Sequence, residues 1–390
     1  MTTTLLSTDQ GLAGPVEHHS LGQAGSAVAA VADELVGLHN TTATGPHLSL
    51  RARIPGFQRE ELDTLMYQEW KLARFRAMRL TMFVFTQPLL EISAAATRQL
   101  TENMAARWLR DSGMSLAEFA RLADLVEQAL GSKPLTVRSL RKVTGLPKHV
   151  DVPGVVGRLC DMGRLVGGAA PKSWRSPVRE FHRWTDVLPD VDLYRWTESA
   201  AVDELVRRYV AAYGPVTLSD VSWWTGLAKT RCRTALEAID GLREVAVADW
   251  AGPLYTCGEV TLSEPNESVS ALPVLDPYVQ GYRDRDRFLD PERFDWVYDW
   301  GGNSSATLVY RGRIIGVWQH VKDPAKSIRY HLFGEQPKRV RRLAEEDLAA
   351  AGALYFGKTV DVVEVSEMPS LREAGGRSAM HPLDGVKHRA

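Results

Sequence analysis

Cysteine is scarce in this sequence of 390 residues, which contains only Cys160, Cys232 and Cys257. The three are widely spaced and form no Cys-x-x-Cys pair, so neither a zinc site nor a disulfide framework is expected. Scattered thiols of this kind fit a reducing, cytoplasmic environment. We therefore expect no metal and no other cofactor.

Long apolar runs are also missing. The longest candidate, LTMFVFTQPLLEI, is interrupted by Thr86, Gln87 and Pro88, whereas a helix that spans a membrane needs about 20 consecutive apolar residues. The N-terminal stretch MTTTLLSTDQGLAG lacks the basic start and the apolar core of a signal peptide. No membrane partner is expected.

The sequence has no excess of one charge. It has 47 Lys and Arg residues against 48 Asp and Glu residues, and its net charge is −1. This balance removes a global attraction to nucleic acid, but a basic face on one side of the fold remains compatible with it. The length predicts two to four domains, because a single core stops growing at roughly 250–300 residues.

A short pattern occurs twice, at residues 134–147 and 215–228. PLTVRSLRKVTGLP resembles PVTLSDVSWWTGLA, with Pro, Thr, Thr, Gly and Leu at matching places. In each copy a Thr can cap a short helix, and Thr217 forms a capping box with Asp220. A Thr-Gly-Leu turn ends that helix, and a second helix and short β-like segments follow. The repeat therefore predicts two winged helix-turn-helix units.

The second helix of the second copy carries Lys229, Arg231 and Arg233 near its start. These cations are candidate nucleic-acid contacts, because a basic helix in this motif gives the protein a local positive face. The alternative is that the repeat is structural, since many winged helices bind only protein.

From about Ser263 the pattern changes to short alternating strands with Gly, Asn and Pro turns, typical of a small β-domain, either a barrel or a sandwich. ATLVYRGRIIGVWQ predicts a β-hairpin with its turn at Arg311 and Gly312. Arg311 and Arg313 lie at this narrow cationic tip and are candidates for entering a DNA groove.

Three segments, WWTGLAKTRCRTALEAI, LPVLDPYVQGYRDRDRFLDP and WGGNSSATLVYRGRIIGVW, occur in this order. In them the sequence resembles the winged-helix family that contains the AlkZ and YcaQ DNA glycosylases, over about residues 20–365. The resemblance implies tandem winged helices with a C-terminal β-barrel around duplex DNA. It also implies a hydrolase of base excision repair that removes alkylated purines, including bulky N7 adducts, and that can give antibiotic producers self-resistance.

On this basis we expect an α+β fold and a monomer that is cytoplasmic and nucleoid-associated, with duplex DNA carrying alkylated purines as its partner. The expected parts are a disordered N-terminus at 1–20, a first winged-helix domain at 21–131, a second at 132–200, a third at 201–262, a β-barrel domain with a C-terminal helix at 263–368, and a disordered tail at 369–390.

The resemblance also implies where catalysis occurs, because the family carries a Gln-x-Gln or Gln-x-Asp motif after its first helix. When we count back from Ala52 and Arg53, His39 falls on the first Gln and Thr41 on the second. This chain therefore has His-Asn-Thr at the motif. Further along, RFRAMRLTMFVF is similar to a Met-Arg-x-Thr helix of the family.

Removal of an N7-alkylpurine needs little acid catalysis, because the leaving base is already cationic. The enzyme has to position a water molecule and tolerate positive charge on the sugar. A neutral His39 can accept a proton from water, Thr41 can hold the same water, and Asn40 between them is the weaker candidate. The alternative is that His39 caps the preceding helix and the threonines satisfy loop amides.

Two further features belong to this prediction. No buried Lys that could form a Schiff base is evident beside the motif, which favours a monofunctional hydrolase. Asp33 and Glu34, one turn earlier in the sequence, are candidates for supplying a carboxylate to the catalytic site. The candidate phosphate contacts around the motif are Arg51, Arg53, Arg74, Arg76 and Arg79, with a solvated charged face as the alternative.

The competing function is that of a non-catalytic protein that binds duplex DNA, either a regulator or a lesion binder.

Overall fold

The computed structural model describes residues 4–22, 27–131, 133–258, 260, 262–321, 326–366 and 368–373. The chain divides into two compact units, Met1–Arg59 with Val206–Ala390 (unit 1) and Glu60–Leu205 (unit 2). Both mix helices with β-strands, so the α+β class is confirmed.

The described helices are α1 Thr8–His18, α2 Val28–Glu34, α3 Gly45–Arg51, α4 Arg59–Tyr67, α5 Gln87–Ser112, α6 Leu116–Leu130, α7 Val137–Thr144, α8 Val152–Asp161, α9 Trp184–Val187, α10 Glu198–Tyr213, α11 Leu218–Thr225, α12 Lys229–Glu237, α13 Pro277–Gln280, α14 Phe294–Val297 and α15 Lys338–Phe356. Short 3₁₀ helices span Met78–Leu80 and Pro291–Arg293.

The described strands are β1 Thr4–Leu6, β2 Leu38–His39, β3 Leu72–Arg76, β4 Met82–Thr86, β5 Leu135–Thr136, β6 Leu165–Gly167, β7 Glu180–Arg183, β8 Leu242–Val247, β9 Leu254–Cys257, β10 Val269–Leu272, β11 Thr307–Tyr310, β12 Arg313–Val321, β13 Ser327–Leu332 and β14 Asp361–Glu364.

Unit 1 contains a five-stranded sheet in the order β10-β11-β12-β13-β14. The first three pairings are antiparallel, and β13 pairs with β14 in parallel. The turn between β11 and β12 has positive φ at Arg311 (50°) and Gly312 (76°), which suits the twist of a two-residue hairpin, so this part of the prediction is confirmed. Among the described strands no pairing closes the sheet into the expected barrel.

The second copy of the repeat forms α11 and α12 in unit 1. Thr217 and Asp220 make the predicted capping box, and Gly226 ends α11 with a φ of 78°. Strands β8 and β9 follow as an antiparallel pair, and β1 joins β8 in parallel. The helix, turn, helix and strand order expected here is therefore present.

The expectation of disorder at 1–20 was wrong for the described residues of that range. They contain β1 and α1, which begins with a reciprocal capping box between Ser7 and Gln10. Leu6 and Leu12 are buried, so the segment packs into unit 1 although it has no helical apolar period. The stabilising partner of β1 is a strand about 240 residues later, which a local reading of sequence cannot reveal.

Unit 2 contains the first copy of the repeat. Thr136 caps α7, and Gly145 ends it with a φ of 67°. α7 and α8 share a core with α6, with Leu122, Leu140 and Leu159 almost completely buried. Strand β7 pairs with β5 and β6 to complete a three-stranded sheet.

The helix expected around residues 74–85 was wrong. This stretch forms an antiparallel hairpin in which Phe75 of β3 lies opposite Phe83 of β4. Its connection places Arg79 in a left-handed conformation with a φ of 52°. The abundance of Phe, Val and Thr suits strands, whose pleated surface accommodates aromatic and β-branched side chains.

The ends of the chain lie partly outside the described residues. The residues that the structure does not describe include 1–3 of the expected N-terminal tail and 374–390 of the expected C-terminal tail. Residues 369–373 are described, and Ser370 and Leu371 are buried there. The expected domain limits stay a prediction. In the described part of the chain, no helix combines the length and apolar composition that crossing a membrane requires.

Candidate functional site

The segment between α2 and α3 begins with a strained reversal of the backbone. Val36 and Gly37 both have positive φ, 53° and 103°. Their N–H groups donate to the carbonyls of Asp33 (3.0 Å) and Ala32 (2.8 Å), which ends α2. A buried β-branched residue rarely adopts this conformation, and such strain costs about 1–3 kcal/mol and concentrates at functional sites. The strain lies three residues before His39.

The three candidate catalytic residues differ in their surroundings. His39, at the end of β2, is 7% exposed, and Asn40 is 4% exposed. The Asn40 side chain donates from Nδ2 to the Thr42 carbonyl oxygen at 3.3 Å, so it supports the local turn. Thr41 is exposed. The segment thus offers a hydroxyl at the surface next to an imidazole that is mostly covered.

Gly45 at the start of α3 belongs to this segment, although it was not among the residues predicted from the sequence. A Cβ atom at Gly45 would lie 2.8 Å from Thr42 Oγ1 and 3.1 Å from the His39 carbonyl oxygen. The backbone of α3 can therefore approach the motif only because this residue has no side chain. The Thr-Gly-Pro sequence at 44–46 was the available signal, because Pro46 favours a helix start.

Arg53 was expected to contact DNA, but the structure places it inside unit 1. Its guanidinium donates to both carboxylate oxygens of Asp276, at 2.8 and 2.9 Å, and both side chains are completely buried. It also donates to the carbonyls of Ser49 and His19, each at 2.9 Å. With its donors engaged in the interior, Arg53 holds α3 in place and does not reach a phosphate.

Arg51 has a similar position. Its guanidinium donates to both oxygens of Asp347, at 2.7 and 2.8 Å, and to the Ala271 carbonyl at 3.2 Å. Its side chain is only 7% exposed. Arg51 therefore ties α3 to α15 and β10, and its predicted role in phosphate binding is also wrong for this conformation.

A cleft of about 400 Å³ lies next to α2. Asp33 and Glu34, the two carboxylates noted in the sequence, both line it, together with Arg207 and Arg208. Asp33 forms an ion pair with Arg208 at 3.0 Å. The remaining lining residues are Glu17, His18, Ser20, Val36, Ala211 and Ala212. The cleft therefore carries mixed charge, and its wall includes the strained residue that precedes the motif.

The candidate DNA contacts on α12 lie at the surface. Lys229 and Arg233 are exposed, and Arg231 is half-buried. The opposite side of the helix packs inward through Cys232 and Leu236. This arrangement gives the predicted basic face on the second helix of the motif.

The two arginines at the tip of the β11–β12 hairpin are less available for DNA contact than the cations of α12. Arg311 forms ion pairs with Asp9 at 3.1 Å and with Glu264 at 2.5 Å. Arg313 binds the other oxygen of Asp9 at 3.2 Å. These arginines are partly exposed, so DNA would have to compete with carboxylates of the same unit for them.

In unit 2, Arg76 ends β3 and Arg79 lies in the connection between β3 and β4, so both are at the turn end of this hairpin. Arg76 donates from Nε to Asp161 Oδ1 at 3.0 Å and from Nη1 to the Leu80 carbonyl at 3.2 Å. Its side chain is 28% exposed, and Arg79 is half-buried. Arg76 therefore has its own carboxylate partner.

No group of three or more His, Cys, Asp or Glu side chains among the described residues could hold a metal ion. The three cysteines are free thiols, and burial raises the pKa of Cys160 to about 12 and also raises that of Cys232.

The sequence matches the model of the AlkZ-like DNA glycosylases over residues 32–356. Because this match covers most of the chain, from α2 to α15, the chain belongs to that family, whose members are hydrolases of DNA repair. The family resemblance expected from the sequence is thereby confirmed.

A solved structure, the DNA glycosylase AlkZ of Streptomyces sahachiroi, is similar to the chain with a TM-score of 0.73. The two are 21% identical, over 93% of this chain and 100% of the other. At 21% identity, this similarity shows that the two chains share a mixed α and β fold. No curated protein matches the sequence.

Proposed function

We propose that the protein is a monofunctional, monomeric DNA glycosylase that hydrolyses the N-glycosidic bond of N7-alkylated or bulky purine adducts in duplex DNA. The observation that carries the proposal is the family match over residues 32–356, which includes the end of α2, His39 and α3. The strained turn at Val36 and Gly37 supports a functional role for that segment.

In this proposal His39 and Thr41 replace the paired polar residues of the family motif. The exposed Thr41 hydroxyl binds the attacking water, and a neutral imidazole accepts its proton as the sugar develops positive charge. Asn40 shapes the turn through its hydrogen bond to Thr42 and does not touch the reacting atoms. Gly45 keeps α3 close behind the motif.

DNA binding is assigned to the surfaces that remain open. The two helix-turn-helix segments act as winged helices, and the five-stranded sheet takes the place of the β-barrel that the resemblance implies. Lys229, Arg231 and Arg233 contact the duplex, as do Arg76 and Arg79, while Arg311 and Arg313 exchange their carboxylate partners for phosphates. In a producer of a DNA-alkylating compound, this activity would protect the producer's own DNA.

The alternative function is that of a non-catalytic protein that binds lesions or regulates transcription. The observation that favours it is the His-Asn-Thr sequence at 39–41, which lacks both glutamines of the family pattern. Such a protein would bind duplex DNA and release no base.

A variant series on a duplex with a bulky N7-guanine adduct tests the proposal. We expect His39→Ala to lower the single-turnover rate about 100-fold, the contribution of a positioned base. Thr41→Ala should lower it about tenfold, the equivalent of one hydrogen bond. Thr44→Ala is the matched control, since Thr44 makes no capping hydrogen bond and should leave the rate unchanged. Rates that survive both substitutions would assign catalysis to other residues.

A further inference from the structure

The first copy of the repeat, in unit 2, carries a run of positive charge. Residues 128–150 contain no Asp or Glu, and their Lys and Arg residues are Lys133, Arg138, Arg141, Lys142 and Lys148. The net charge of the whole chain is −1, so this segment departs from the balance of the rest. It covers β5, α7 and most of the turn before α8. Cations concentrated in one segment produce a local positive field even in a protein without net charge.

Three of these cations lie at the surface. Arg138, Lys142 and Lys148 are exposed, and among the described residues none of the three forms an ion pair. Arg138 and Lys142 are four positions apart on α7, so they lie on the same face of the helix, where like charges repel each other. This arrangement costs stability, and a negatively charged partner on that face would offset the cost.

The turn between α7 and α8 holds Lys148 in an ordered segment. The guanidinium of Arg141 donates to the carbonyl of Pro147 and, at 2.9 Å, to the carbonyl of Val150. Gly145 ends α7 with a φ of 67° and so turns the chain at that point. Because Arg141 bonds the turn on both sides of Lys148, α7 and the turn form one basic surface.

The second helix of this copy is not available for reading bases. In a helix-turn-helix protein that helix enters the major groove with its N-terminal residues. Here α8 is capped by Asp151, whose carboxylate accepts from the Gly154 N–H and from the Trp108 indole N–H, both at 3.0 Å. A Cβ atom at Gly154 would lie 2.6 Å from the Trp108 indole nitrogen. Helix α5, which carries Trp108, and a carboxylate therefore occupy the end of α8 that would face DNA.

The second copy, in unit 1, has the opposite arrangement. Its first helix, α11, contains no Lys or Arg and buries Asp220. The cations of that copy lie on its second helix, α12, at Lys229, Arg231 and Arg233. The two copies share a sequence pattern and the order helix, turn, helix, but they carry their positive charge on different helices. They therefore cannot contact a ligand in the same way.

We propose that the first helix-turn-helix binds the sugar-phosphate backbone of duplex DNA through the exposed cations of α7 and the turn, and that α8 reads no bases. The identity of the ligand rests on the proposed function, whereas the surface for a polyanion follows from unit 2 alone. Contacts from Lys and Arg to phosphates position a duplex without reading its sequence. Such affinity suits an enzyme that has to act on a lesion in any sequence context.

Two triple variants of the full chain test the proposal. The first replaces the exposed cations of α7 and the turn, as R138Q with K142Q and K148Q. The matched control replaces three exposed cations of α5 and α6 in the same unit, as R107Q with R110Q and R121Q. Both variants change the net charge by the same amount, so a general electrostatic effect on DNA binding is equal in the two.

The first measurement is the affinity for two undamaged duplexes of unrelated sequence as a function of salt. We expect the α7 variant to reduce the slope of log affinity against log salt by about two to three on both duplexes, since each lost phosphate contact removes about 0.9. The control and the charge-preserving variant R138K with K142R and K148R should keep the wild-type slope. Equal slopes for the two Gln variants would overturn the proposal. A loss on only one duplex would overturn the backbone contact in favour of base recognition.

The second measurement is the salt concentration that elutes each protein from immobilised heparin, which tests the surface without DNA. We expect the α7 variant to elute at lower salt than wild type and the control. That result together with an unchanged DNA slope would overturn the assignment to DNA and leave a surface for another polyanion. Absence of duplex binding by wild type would refute the proposed function as well, and heparin elution would still decide whether the surface binds a polyanion.

Discussion

The buried ion pair between Arg53 and Asp276 allows a quantitative prediction for Asp276→Ala. The carboxylate accepts two hydrogen bonds from Arg53 at 2.8 and 2.9 Å, one from the Ser49 hydroxyl at 2.5 Å and one from the Tyr278 N–H at 3.0 Å. Neither charged side chain is exposed at all. Because the substitution leaves a buried guanidinium uncompensated, we expect the free energy of unfolding to fall by about 3–5 kcal/mol.

Urea unfolding followed by tryptophan fluorescence measures this loss. The double variant Arg53→Met with Asp276→Leu should regain most of it, since apolar residues of similar volume often replace a buried pair at little cost. Asp111→Ala is the exposed counterpart, because Asp111 and Arg107 are 69% and 78% exposed, and it should cost less than about 0.5 kcal/mol. A loss below about 1 kcal/mol for D276A would refute the reasoning, because a buried pair broken on one side should cost several times that.

Two glycines and a histidine give further predictions. Gly316→Ala places a methyl group 2.4 Å from the His331 backbone oxygen, so we expect a loss of about 1–3 kcal/mol. Gly157→Ala, whose methyl group would meet nothing within 4 Å in α8, should stabilise by about 0.5–1 kcal/mol, and equal denaturation midpoints for the two variants would contradict this packing. Burial holds the pKa of His19 well below 6.5. Below that pH the unfolded chain binds a proton that the folded chain excludes, so stability should fall by up to about 1.4 kcal/mol per pH unit as the pH drops. Urea midpoints from about pH 7 to about pH 5 test this, and a slope unchanged in His19→Gln would contradict it.

Much of the local structure could be predicted from sequence, because its signals are local. Thr217 with Asp220 and Gly226 marks both ends of α11 within ten residues, and the turn at Arg311 and Gly312 is set by two residues between alternating strands. In such elements capping and turn geometry depend only on neighbours in the chain.

Elements whose partners are distant could not be predicted in this way. Arg53 looked like a surface cation because Asp276 lies 223 positions away, and Arg51 binds Asp347 across 296 positions. The sequence shows a charge but not whether a carboxylate is folded against it. Strand β1 likewise depends on β8, which lies about 240 residues later in the chain.

The candidate site contains some features that neighbouring residues determine and others that depend on the folded chain. The polar break at 39–44 is visible in the sequence, and the structure places it between α2 and α3 and adds the strained turn at Val36 and the tight approach of Gly45. Arg74 was among the candidate phosphate contacts, and the sequence did not show that burial and the charge of Arg179 lower its pKa to about 10. Burial and like-charge contact are properties of the folded chain.

Release of base from duplex DNA that carries a single N7-methylguanine tests the central claim most directly. Abasic sites are detected by alkaline cleavage, and the rate is compared with spontaneous depurination of the same duplex and with His39→Ala. We predict release by wild type well above the spontaneous rate, and its loss in H39A. No release from this duplex or from one with a bulkier N7 adduct, with duplex binding intact, would contradict the claim and identify a non-catalytic DNA-binding protein.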